Sequence, residues 1–200
     1  MIRVSTINIT RPADTTAYAI GDRVWTASGS TATGITAAGS VFSNLGETMF
    51  GNGFIVKAIM TTSAAVTGTP ATGTYRLQLF TLSSGQTLAT GAVVPDNSPL
   101  VFSFADSSKY VGFIDFSTWT TGVGYAYSVV TATTISFQRG SIRNESDQTG
   151  YPGPTTGTLV NAGTLIGILE TRTAITPNSG QQFFISLTSN AAEGVSLSFK

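Results

Sequence analysis

Apolar residues recur at every second position through most of this chain, and no segment carries a helical period of useful length. Phe54, Val56, Ala58 and Met60 alternate with Ile55, Lys57 and Ile59, which predicts a strand. Tyr75, Leu77 and Leu79 alternate with Arg76, Gln78 and Phe80 in the same way. Leu165, Gly167 and Leu169 alternate with Ile166, Ile168 and Glu170, apolar enough on both faces to predict a buried strand. Tyr125, Tyr127 and Val129 alternate with Ala126, Ser128 and Val130 and run on toward Ile135 and Phe137, as one bent strand or two. Shorter apolar runs at Val24-Trp25, around Ile35, at Val41-Phe42 and over residues 182–187 and 195–199 add further strands, and residues 88–94 lead from a turn at 83–86 into the stretch that begins at Pro95.

Turn chemistry divides these runs. Pro95-Asp96-Asn97-Ser98-Pro99 gathers the strongest turn formers, since proline pre-sets φ and an Asx side chain can bond its own backbone two residues on. A strand is expected directly afterwards, with Leu100, Phe102 and Phe104 on one face, and Asp106-Ser107-Ser108 turning the chain back. Residues 111–116 are apolar on much of both faces, which predicts a central strand in the core. Pro177-Asn178-Ser179-Gly180 marks another turn, before a strand over 182–187. Residues 139–157 concentrate charge, glycine and proline without any period and predict an exposed loop.

At the N-terminus, Ile2, Val4, Ile7 and Ile9 form two short alternating runs that Arg11-Pro12 closes, because proline supplies no donor and holds Arg11 extended. Residues 1–12 are thus an edge strand of the domain or an arm laid on a neighbour's sheet edge. Residues 13–200 form one sandwich domain. Ile2, Arg3, Val4, Ile7 and Arg11 in the first segment, with Arg139, Arg143 and Tyr151 in the loop, are the candidate protein-contact residues.

Composition narrows the function. Ten Lys+Arg balance ten Asp+Glu, so no field steers the chain toward phosphates and nucleic acid is an improbable partner. A chain with so few charges and no net charge is poorly defended against association, so a homo-oligomer is expected. The chain contains neither cysteine nor histidine, which removes disulfides, thiolate nucleophiles, Ser-His-Asp triads and the commonest zinc ligands. No apolar stretch approaches the length of a membrane span, and Met1–Thr10 lacks the apolar segment of a signal peptide.

Carboxylates remain as possible chemistry, because a glycosidase needs only two across a sugar. Asp14, Asp22, Asp96, Asp106, Glu145, Asp147 and Glu193 sit in turn-like contexts where capping explains them. Asp115 and Glu170 lie within apolar strands, where solvation at a sheet edge or pairing with Arg76 or Arg172 is the simpler reading. Neither a calcium loop nor a phosphate-cradling glycine loop is present. The expectation is therefore no catalytic, metal or cofactor site. Trp25, Trp119 and the tyrosines could stack on sugars, but core packing is the favoured reading, including for Tyr125 and Tyr127 on one strand face.

Several stretches carry a resemblance. Arg76, Leu77, Leu79 and Phe80, then Asp96 and Asn97, then Ala105, Asp106, Tyr110, Val111 and Gly112, together with the runs 11–22 and 176–187, resemble small capsid decoration, or cement, proteins of tailed bacteriophages. Strand spacing argues only for an all-β sandwich, jelly roll or barrel. The resemblance implies a jelly-roll-like antiparallel sandwich. It also implies a non-enzymatic virion protein, made in the host cytoplasm, that binds the outer surface of the phage head. There it would stabilise the major capsid protein lattice as a trimer. A carbohydrate- or receptor-binding module of a phage tail or appendage is the alternative.

Overall fold

A computed structural model of the chain describes residues 2–26, 41–42, 45, 52–63, 70–81, 88, 96–131, 133, 135–138 and 165–191. These build two antiparallel sheets stacked as a β-sandwich. The first sheet contains β1 (Ile2–Thr10), β11 (Gln182–Ala191), β4 (Asn52–Ser63), β8 (Tyr125–Thr131) and β7 (Thr120–Gly122) in that order, with β9 (Ser136–Gln138) also on β4. The second runs β2 (Arg23–Val24), β10 (Leu165–Thr171), β5 (Tyr75–Thr81) and β6 (Tyr110–Phe116), with β3 (Val41–Phe42) also on β10. Leaving aside the short β3, β7 and β9, the pairing is nested: β1 with β11, β2 with β10, β4 with β8, β5 with β6.

Alternation fills the space between the sheets. Ile7 and Ile9 of β1, Ile55, Ala58 and Met60 of β4, and Phe183, Ile185 and Leu187 of β11 point inward from the first sheet. Tyr75, Leu77, Leu79, Ile114, Phe116, Leu165 and Leu169 meet them from the second. Gly167 lies where a Cβ would come within 2.7 Å of the Phe42 ring and 2.9 Å of Leu77, so β10 accepts no side chain there. A second apolar cluster of Phe80, Leu88, Ile166 and Ile168, joined by Val41 and Leu100, covers part of the outer face of the second sheet. That cover explains why every residue of β10 is buried.

Several expectations change. Residues 100–103 form no strand, and Phe104–Lys109 is a 3-10 helix. The alternation there reflects an extended chain whose pairing with residues 21–23 ends at the Asp22–Pro99 bridge and the bond from Leu100 N–H to the Gly21 carbonyl (2.8 Å). β6 is an edge strand, not a central one. The run from Tyr125 toward Phe137 is two strands, both paired with β4. Tyr125 and Tyr127 are 48% and 37% exposed on the outer face of the first sheet, so they are not core residues. Within residues 1–12, Ile2–Thr10 is a strand of the domain, in full register with β11, and Ile7 is buried in the core. The expected strands near Ile35 and over 195–199, the run 89–94 and the loop 139–157 lie outside the described residues.

Arg11 is the largest correction among the contact candidates. It is 1% exposed. Its guanidinium donates to Asp14 Oδ1 (2.6 Å), the Asp14 carbonyl (2.6 Å) and Tyr18 Oη (3.1 Å), and reaches the carbonyls of Thr16, Pro177 and Asn178. Tyr18 Oη in turn donates to the Asp96 carboxylate at 2.6 Å, which also accepts Trp25 N–H at 2.7 Å. Gln181 completes this clasp through Thr62 Oγ1 (2.6 Å) and the Ala71 carbonyl (3.0 Å). The three separated runs at 11–22, 96–97 and 176–187 therefore converge on one buried polar cluster. A buried charge is tolerated only when its hydrogen-bonding capacity is met, and here backbone carbonyls from two turns meet it. Arg11 holds the fold together and offers nothing to a partner.

Candidate functional site

The outer face of the second sheet carries an open groove of about 560 Å³. Three elements build it. β5 contributes Arg76, Gln78 and Phe80, the outward half of its alternation. β6 contributes Tyr110 and Phe113. The extended segment and 3-10 helix between them add Phe102, Ser103, Phe104, Asp106 and Ser107.

A bulge in β6 shapes the floor. Leu79 pairs with Gly112, but the next residue, Phe80, pairs with Tyr110, so Val111 is the extra residue. Gly112 has φ of +142°, a conformation that favours glycine. The bulge inverts the phase of the strand. Tyr110 and Phe113, three apart, both project outward, whereas Val111 packs on the core with Ile114 and Phe116. Unbroken alternation would have placed Tyr110 and Phe113 on opposite faces.

The rings lock one another. Phe102 and Tyr110 meet edge to face at 5.8 Å and 90°, and Phe80 lies 5.3 Å from Tyr110 and 6.0 Å from Phe102. At the far wall the Arg76 guanidinium stacks 3.7 Å above the Phe113 ring while its Nε and Nη2 bond the two oxygens of Asp115 at 2.7 and 2.8 Å. That bidentate bond holds the Arg76 pKa above its ordinary value. Behind them, Gln78 accepts from Tyr110 Oη (2.8 Å) and donates to Glu170 Oε1 (3.0 Å). Burial pushes the Glu170 carboxyl up from its usual range, opposed by the Gln78 hydrogen bond and by Arg172 and Arg76. Burial likewise raises the Tyr110 phenol. At the near rim Lys109 Nζ bonds Asp106 Oδ1 at 2.8 Å.

These contacts fix four aromatic side chains in an open, mostly apolar recess. Phe104, at the tip of the 3-10 helix, is 93% exposed. Each carboxylate at the groove has a cationic or amide partner, and Asp115 and Glu170 bind the partners that strand spacing suggests, Arg76 and Arg172. Among the described residues no group of three or more acidic side chains is placed to hold a metal.

None of the candidate contact residues that the structure describes lines this groove. Ile2 and Val4 are exposed on the outer face of the first sheet, Arg3 is half-buried beside them, and Ile7 and Arg11 are interior. Arg139, Arg143 and Tyr151 lie outside the described residues. The residues missed are Arg76, Gln78, Phe102, Phe104, Tyr110 and Phe113. Their signal was a strand apolar on both faces beside a phenylalanine-rich turn, which also describes a central strand. No protein-family model matches this chain, and no curated protein matches it in sequence.

Proposed function

We propose that this protein is a structural virion component, a capsid decoration protein that binds the outer surface of a bacteriophage head and stabilises the lattice of the major capsid protein. The observation that carries the reading is the division of labour among the residues of the resemblance. Arg11, Tyr18 and Asp96 are consumed by the buried clasp, whereas Arg76, Phe80, Asp106 and Tyr110 gather around an open aromatic groove. Exposed, rigidly held aromatic and arginine side chains are the usual anchors of protein contacts. A protein that binds the assembled shell and not its free subunits stabilises the shell by mass action, so many equivalent contacts of modest strength suffice. The nested strand pairing is what a long antiparallel ribbon gives when doubled at the β5–β6 connection and rolled up, and it supports a jelly-roll winding.

Mixing the protein with shells that lack it, followed by imaging, tests the proposal. Regular occupancy of lattice sites is expected, and it should disappear in the double variant Phe104→Ser, Phe113→Ser. Bare shells in the presence of excess folded protein would overturn it.

One observation favours the carbohydrate-binding alternative. Tyr125 lies over Gly122, where a Cβ would come within 2.6 Å of its ring, and exposed Tyr127 is beside it on the same strand. Two accessible rings on a sheet face could stack on a sugar. A glycan array with wild type and Tyr125→Ala, Tyr127→Ala distinguishes it, because a cement protein gives no sugar-dependent signal.

A further inference from the structure

β1 presents a hydrogen-bonding edge whose chemistry can be read from its ladder. Among the described residues β1 pairs with β11 alone. Arg11 donates its N–H to the carbonyl of Gln181 at 3.1 Å, and continuing the β1–β11 register places these two residues opposite each other. In antiparallel pairs, residues that bond the partner alternate with residues whose N–H and C=O point the other way. Counting back from Arg11, the odd-numbered residues bond β11. Ile2, Val4, Thr6, Asn8 and Thr10 therefore turn their donors and acceptors outward, along an edge roughly 30 Å long at the usual rise per residue.

The usual edge protections are sparse. Natural edges are blunted by shortness, charge, proline or bulges. β1 has nine residues, one charged side chain (Arg3), no proline before Pro12 and no register break against β11. On its outer face Ile2 is 72% and Val4 61% exposed. The opposite edge of the same sheet, β7, has three residues, so a head-to-tail β1–β7 contact would form few rungs.

We infer that β1 pairs antiparallel with β1 of a second copy of this chain, about a two-fold axis through Thr6. Outward-facing residues must meet outward-facing residues, which restricts the register to pairs of even-numbered positions. Centring on Thr6 uses the whole strand, placing Val4 opposite Asn8 and Ile2 opposite Thr10. Such a contact is self-complementary and closes at two copies, joining both six-stranded sheets into one and leaving neither β1 edge open. It differs from the trimer that the resemblance implies, and it holds or fails independently of shell binding.

The chain has no cysteine, which makes the test direct. Sedimentation across a concentration range should give a dimer for wild type and a monomer for Thr6→Pro. The latter deletes an outward N–H and spares the β11 ladder, as circular dichroism would verify. Under oxidation Thr6→Cys should yield a covalent dimer, because hydrogen-bonded antiparallel partners sit about 5.5 Å apart at Cα, within disulfide reach. Thr10→Cys, opposite Ile2 in this register, should crosslink at least tenfold less. A wild-type monomer, a trimer, or a dimer that survives Thr6→Pro and leaves Thr6→Cys uncrosslinked would overturn the inference. So would a monomer whose β1 amides gain exchange protection only on shells, which would assign the edge to a strand of the capsid protein.

Discussion

The clasp around Arg11 and the groove beside Phe113 each combine an arginine, a tyrosine and an aspartate, yet they do opposite work. In the clasp the arginine is sealed, its donors go to carboxylate, phenol and turn carbonyls, and Tyr18 passes a hydrogen bond to half-buried Asp96. In the groove Arg76 is partly exposed, stacks on Phe113 and closes a bidentate pair with Asp115 at the surface. The same side chains specify the fold when backbone carbonyls surround them and border an open groove when rings do. Residue type does not decide the role; its surroundings do.

Arg11→Ala is the hardest test of that contrast. It leaves Tyr18, Asp14 and several turn carbonyls without their donor, and each buried group left unsatisfied typically costs about 1–3 kcal/mol. Urea denaturation should show a loss of that order. A loss below about 1 kcal/mol would mean the clasp is dispensable. The same result governs residues 1–10: removing β1 strips Ile7 and Ile9 from the core and should unfold the domain, so truncation cannot serve as a test of shell contact.

The groove should behave conversely. Phe104→Ser and Phe113→Ser expose no new core; the first should stay within about 0.5 kcal/mol, and the second should lose the Arg76 stack, worth about 0.5–1 kcal/mol at an exposed site. Shell occupancy should nonetheless fall at least tenfold, which is the loss of a hot-spot contact worth about 1.4 kcal/mol or more. Stability and binding measured on the same preparations separate the two regions. Gly112→Val connects them. Forcing a β-branched residue to a positive φ costs about 1–3 kcal/mol, and relief by straightening β6 would turn Tyr110 or Phe113 away from the groove. Lost binding with Arg76, Phe102 and Phe104 unchanged would show that the bulge itself sets the surface.

Much of this architecture is legible from alternation. β4, β5, β8 and β10 fall where period-two runs place them, and Asp96-Asn97 and Ser179-Gly180 turn as their chemistry requires. The failures share a physical origin. A period cannot reveal a bulge, so the inversion at Val111-Gly112 made an edge strand look central. An alternating run can stay extended without becoming a strand, as over residues 100–103, where pairing with the β2 edge ends at the Asp22–Pro99 bridge. Arg11 sits next to an exposed strand in sequence, but its environment comes from Asp14, Tyr18 and a turn more than 160 residues away. No local pattern encodes that contact.

The smallest effect expected is a pH dependence that each region contributes separately. Burial raises the pKa of Asp96 in the clasp and of Glu170 behind the groove. A carboxyl whose folded pKa exceeds its unfolded value binds protons more tightly when folded, so its contribution is full below the unfolded pKa and is lost as pH rises through the folded one. Asp14 has the opposite sign. Its carboxylate is held below the usual range chiefly by the Thr16 N–H, so its contribution is lost only as pH falls below the ordinary value of about 3.9. Unfolding free energy should therefore rise as pH drops from 7 toward about 4.5 and decline again below about 4. Asp96→Asn and Glu170→Gln should each flatten the upper limb while leaving the acid limb intact. If stability instead falls steadily from pH 7 downward, or both variants run parallel to wild type, the buried carboxyls are not the source. If Glu170→Gln alone flattens the limb, the titration belongs to the groove, and the clasp holds Asp96 ionised through its two donors.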